Sequence, residues 1–247
     1  MSSLQRAFFI PALLAFASTD VMADTGRLTI YGNGEDLATQ GFQGEKLTVD
    51  GWSLTFDHIF VTVSQITAHQ VSQPYDAHTG GDFHSFTSAP SLSGPVTLDL
   101  VDADADDRVL IDTLSATAGH YNALEWSIVP ATEGEWTGYS MVFVGTAVRD
   151  NERVDFTLAS TDAVKHRCGE YVGDERKGFL NADGTAEQEL TFHLDHIFGR
   201  SDKATNDPMN QSALGFDPFA DGGTQMLSLE GLHIGHAGEG HCAIIRL

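Results

Sequence analysis

Basic residues are scarce in this chain: 13 Lys plus Arg stand against 35 Asp plus Glu in 247 residues, a formal net charge of −22. Nucleic acid and anionic membrane surfaces need a basic patch, so neither is expected as a partner. Cysteine is scarcer still, and two residues cannot make a disulfide-rich scaffold or a four-cysteine zinc site. Long apolar runs are missing too. The stretch Ala7 to Ala17 falls short of the roughly 20 residues that a spanning helix needs, and no later segment approaches that length. Nucleophile motifs of the G-x-S-x-G, S-x-x-K and H-E-x-x-H types are lacking. Gly32-Asn33-Gly34 has neither the spacing nor the following helix of a phosphate-cradling loop.

What is present suffices for a core. Hydrophobic residues make up 41% of the chain and aromatics 9%, which excludes wholesale disorder. Residues 1–23 read as a secretory signal peptide, with Arg6 as the positive n-region, a short apolar stretch, and cleavage after Ala23. The expected location is therefore periplasmic or secreted. Export permits a disulfide, and Cys168 and Cys242 are the pair available. They enclose about 75 residues, for which loop-closure entropy gives roughly 4 kcal/mol.

Period-two alternation recurs, whereas helix signals are rare. Strands are predicted at Gly26 to Tyr31, Gly51 to Ile66, Val96 to Leu100, His120 to Val129, Tyr139 to Arg149, Arg153 to Leu158, Glu187 to Leu194, Gln225 to Leu232 and Ala243 to Leu247. In the longest, Ile59, Val61 and Val63 share one face while His58, Phe60 and Thr62 share the other. Asn151-Glu152 suggests a hairpin and Asp183-Gly184 a turn. A short helix is expected around Asn210 to Leu214, between Pro208 and Pro218. The pattern predicts an all-β fold, a single antiparallel β-sandwich with long loops and at most one short helix. With no Pro/Ser-rich linker, residues 24–247 are taken as one domain.

Eleven histidines then need a reason. In Thr191 to Phe198, strand alternation places Phe192 and Leu194 inward and His193 and Asp195 together on the other face, where they can converge on one ion; His196 follows. Gly231 to Cys242 adds His233, His236, Glu239 and His241, spaced by glycines that let the backbone turn tightly. His58, set among aromatics, and Glu125, set among apolar neighbours, are further candidates. His69, His78, His84, His120 and His166 lie in or beside polar loops and receive no role, beyond adventitious metal binding at His78 and His84. The acidic run Asp99 to Asp107 fails as an EF-hand, because Asp107 and Thr113 occupy the positions of its Gly and Glu.

Three runs carry a resemblance: Gly51-Trp52-Ser53-Leu54-Thr55-Phe56-Asp57, His193-x-Asp195-His196-Ile197-Phe198-Gly199 and Gly235-His236-x-Gly238-Glu239-Gly240-His241-Cys242. Together they resemble a group of uncharacterised secreted bacterial β-sandwich proteins. The order of elements, with Ala118 to Trp126, is similar to DUF4382-like domains. The H-x-D resembles that of periplasmic copper-associated MbnP-like proteins, which carry a four-cysteine pattern where this chain has two. The resemblance implies a periplasmic metal-associated sandwich.

The leading expectation is a metal-binding protein that captures, stores or delivers a divalent transition metal. Nitrogen-dominated ligation favours zinc or copper, and the carboxylates keep iron and manganese open. Neutral imidazole is the binding form, so affinity should fall below about pH 6. Delivery would require a membrane metal transporter or receptor as partner. The competing expectations are an adhesion or carbohydrate-binding module displaying Trp52, Trp126 and Trp136, and a metal-dependent hydrolase using Glu125 or Glu239 as general base.

Overall fold

The computed structural model describes residues 24–73, 75–82, 89–169, 178–238 and 240–247. Residues 1–23, read from the sequence as a signal peptide, lie outside the described residues, as do His84 and Glu239. The alternating segments form strands. In chain order the first are β1 (Thr25–Asn33), β2 (Ser53–His69), β3 (Ser91–Leu92), β4 (Val96–Asp99) and β5 (Arg108–Thr117). Next come β6 (Gly119–His120), β7 (Ala123–Ile128), β8 (Met141–Arg149), β9 (Glu152–Ser160) and β10 (Val164–Cys168). The last are β11 (Phe179–Leu180), β12 (Thr185–Phe192), β13 (Gly223–Met226), β14 (Gly235–His236) and β15 (Cys242–Arg246). Three short helices, α1 (Glu35–Thr39), α2 (Asp195–Phe198) and α3 (Pro208–Ser212), interrupt them.

The strands assemble into a four-stranded sheet ordered β14-β12-β1-β5 and a larger sheet ordered β13-β9-β8-β2-β7-β10-β15, with β3 and β4 also paired to β2. A two-stranded ribbon joins β6 and β11. The inward row Ile59, Val61 and Val63 of β2 is fully buried, while His58 is exposed, as the alternation requires. Between the sheets Trp126 of β7 meets Phe192 of β12 edge to face, with ring centroids 5.3 Å apart. The fold is thus all-β and sandwich-like. Two pairings, β1 with β12 and β9 with β13, are parallel, so the sandwich is not antiparallel throughout. No helix among the described residues is long and apolar enough to cross a membrane.

The helices depart from expectation for local reasons. α3 was anticipated, and the Asp207 carboxylate caps it by accepting from the Met209 N–H at 3.0 Å. α1 follows Gly34 directly, where the sequence suggested no helix. α2 overturns the strand reading of His193 and Asp195. β1 ends at Asn33, opposite Thr191, so β12 has no parallel partner past its last residues. From there Leu194, Ile197 and Phe198 are all buried, the i, i+3, i+4 spacing of a helical face. Phe198 inserts among Phe42, Phe56 and Phe143 at 5.6, 6.2 and 5.8 Å, which anchors the turn that carries His196.

The Cys168–Cys242 disulfide forms as expected, cross-linking directly paired residues of β10 and β15. It fixes the C-terminal strand to the edge of the larger sheet, next to His241.

Candidate metal centre

The site lies where β12 ends. Strand β14 pairs antiparallel with it, Thr191 opposite His236 and Phe192 opposite Gly235, and His193 N–H donates to the Ile234 carbonyl at 2.9 Å. Two stretches remote in sequence are thereby locked side by side. Gly235 tolerates the contact because it has no side chain: a Cβ there would lie 2.4 Å from His166 Nε2 and 2.8 Å from the Trp126 ring. After β14 the chain reverses between Ala237 and Gly240 through paired backbone hydrogen bonds, with Gly238 at φ +53°. That turn brings His241 back over His236.

The imidazoles converge. His233, His236 and His241 can each present a nitrogen such that all three atoms lie within 4.8 Å of one another. A tetrahedral ion with bonds of about 2.0–2.1 Å needs its ligand nitrogens about 3.4 Å apart, a contraction within reach of side-chain rotation. His193 packs edge to face on His236 at 4.3 Å, and His196 lies 5.4 Å from His193 and 5.8 Å from His236. His78, from the loop before β3, sits 5.2 Å from His241.

Burial favours the neutral form of His236, His233 and His196. His236 is only 7% exposed, and burial together with the neighbouring imidazoles pushes its pKa down to about 2. The same causes bring His233 to about 4, and burial lowers His196. Among the described residues, the buried Nε2 atoms of His233 and His236 have no hydrogen-bond partner. An unsatisfied buried nitrogen is costly, and a cation supplies the missing interaction.

Glu35 is the neighbour that sequence reasoning missed. Its carboxylate oxygen Oε2 lies 3.1 Å from His193 Nδ1. With the ring neutral, that nitrogen donates to the carboxylate and the lone pair resides on Nε2, the arrangement that orients many metal-ligating histidines. Glu35 adopts φ +56°, and its N–H donates to Asn33 Oδ1 at 2.6 Å. Nothing in the GNGED run signals this role, because His193 is remote in sequence.

The remaining sequence candidates stand differently. Asp195 heads α2 rather than sharing a strand face with His193; its charge acts on the neighbouring His196, and Arg200 lies 3.9 Å away. His58 is exposed, bonded to Asp99 Oδ2 at 2.6 Å and stacked on Phe60. Glu125 is claimed by Lys165 and Arg167, each at 2.8 Å, with His69 at 3.6 Å. The His69 ring, with Lys165 and Arg167, holds its carboxyl well below the usual range, which makes it a weak base. The acidic run is a turn in which Asp104 accepts from the N–H groups of Asp106 and Arg108.

Compared with protein-family models, curated proteins and solved structures, the chain matches none. The geometry of the site therefore carries the functional argument.

Proposed function

We propose that the protein binds a divalent transition metal, zinc or copper(II), through His233, His236 and His241 with His193 as the fourth nitrogen. The carrying observation is that imidazoles from two distant segments meet, and that the buried Nε2 atoms of His233 and His236 have no hydrogen-bond partner among the described residues. All-nitrogen ligation suits zinc and copper, while manganese favours carboxylate ligands. The disulfide and the signal-like N terminus support a periplasmic or secreted setting, where such a protein would capture, store or deliver the ion. A delivery role would require a membrane transporter or receptor, and the likeness to MbnP-like proteins belongs to the same proposal.

Two observations weigh against the alternatives. Trp52 and Trp126 are fully buried, which leaves only the half-buried Trp136 of the three tryptophans as a platform for a carbohydrate. Glu125, one of the two candidates for a general base, is ion-paired with Lys165 and Arg167.

The test is elemental analysis of protein purified without a histidine tag, then titration of zinc and copper(II) into chelator-treated material. One ion per chain is expected, and combining His193→Ala with His236→Ala should weaken binding at least ~100-fold. His58→Ala should leave it unchanged. Tight binding that survives the double substitution would place the site elsewhere.

A further inference from the structure

The cluster contains more imidazoles than one zinc ion takes, since a protein site for this metal is four-coordinate. His78, His241, His236, His193 and His196 follow one another through ring contacts of 5.2, 5.0, 4.3 and 5.4 Å. Exposure changes along that line: His78 and His241 are exposed, His236 is buried. The surplus ring at the outer end, His78, is therefore joined to the buried His236 through the exposed His241.

His78 is also held in position. Its loop is closed by the Gly80 N–H donating to the Asp76 carbonyl at 3.1 Å, with the His78 N–H donating to Asp76 Oδ1 at 2.9 Å. Arg167 of β10 straps the far end, donating to the Gly81 carbonyl and to Asp82 Oδ1, the latter at 2.8 Å. Glu125 anchors Arg167 in turn at 2.8 Å. The same strand that carries this strap ends in Cys168, whose disulfide fixes Cys242 beside His241. Both exposed rings are thus referenced to β10, which keeps them next to each other.

We propose that His78 and His241 form the mouth of the metal centre, and that an ion is loaded and handed over by stepwise ligand exchange from His78 to His241 and on to the buried His236. This inference rests on the metal-binding reading above. In each step a new metal–nitrogen bond forms as an outer one breaks, so the ion is never stripped of ligands between solvent and cage. Each donor is an imidazole nitrogen, so the exchange changes no oxidation state and no electron has to move with the ion. Because His78 holds the ion only in transit, it changes rates in both directions without changing the end state. A partner that accepts the metal would present its own nitrogen or sulfur ligands at this face.

The experiment follows zinc uptake by chelator-treated protein in stopped flow, and its withdrawal by excess of a chromophoric chelator, in wild type, His78→Ala and His58→Ala. The expected result is that His78→Ala slows uptake and withdrawal by a similar factor, about 5- to 10-fold, with Kd within twofold of wild type. His58→Ala should match wild type in all three quantities. A Kd that weakens while uptake stays fast would make His78 an ordinary ligand and overturn the route, as would unchanged rates in both directions. Wild-type protein that takes up no zinc and no copper(II) would overturn the metal reading itself, an outcome separable from failure of the route alone.

Discussion

A histidine's chemistry is set by its neighbours, and three residues of this chain show how. His58 pairs with Asp99 at the surface, His236 is enclosed by other imidazoles, and His193 lies between a carboxylate and the cluster. If Glu35 fixes the tautomer of His193, Glu35→Gln should lower zinc affinity roughly 10-fold while the melting temperature of the metal-free protein changes little. Competition against a chelator of known affinity, together with thermal melts, checks this, and unchanged affinity would remove Glu35 from the centre. The clustering of His233, His236 and His241 could be read from the chain because glycines and nearby spacing announce it. Glu35 and His78 could not, since each reaches the site across long sequence separations through contacts that no local pattern encodes. His58 and Glu125 both sit among apolar residues in sequence, yet the strand's outward face explains the first, and Lys165, Arg167 and the His69 ring explain the second.

At the scale of elements, the site depends on where strands stop. Alternation in the sequence located β2, β8, β9 and β12 within a few residues, because burial of one face leaves a strict two-residue signature. It failed at the end of β12, where continued alternation and a helical face agree on Leu194 as an inward residue and differ only from Asp195 onward. Loss of the neighbouring strand decides the matter, and pairing partners cannot be seen in a single segment. The parallel pairing of β1 with β12 escaped notice for the same reason. The terminal strand β15 depends on the disulfide, which closes a separation of 74 residues. Replacing both cysteines by alanine should remove about 4 kcal/mol of stability and lower the melting temperature by ~10 °C. Because His241 immediately precedes Cys242, zinc affinity should fall as well, by about 10-fold. A melting temperature that drops with affinity intact would show that the tether stabilises the sheet without positioning the ligand.

Over the whole molecule, two sets of ionisable groups respond to acid in opposite ways. The surface carries a formal net charge of −22, whose self-repulsion relaxes only as carboxylates gain protons near their ordinary pKa of about 4. The interior holds imidazoles kept neutral by burial: His166, stacked on Trp126 at 4.0 Å, is lowered to about 3 and His236 to about 2. In the unfolded chain these rings titrate near 6.5, so below that pH the unfolded state binds more protons than the folded one. Their contribution is fully present above about 6.5 and is lost progressively as pH falls toward the folded values. Between pH 6.5 and 5 the carboxylates remain mostly ionised, which isolates the imidazole effect. Moving from pH 6.5 to 5 should cost about 2 kcal/mol for each of His166 and His236. Thermal melts of chelator-treated protein at pH 7.0, 6.0 and 5.0 should therefore show a steady fall in melting temperature, and His236→Gln should flatten it. A level profile across this range would mean that the enclosed rings accept protons in the folded protein, and the neutral, metal-ready cluster would not stand.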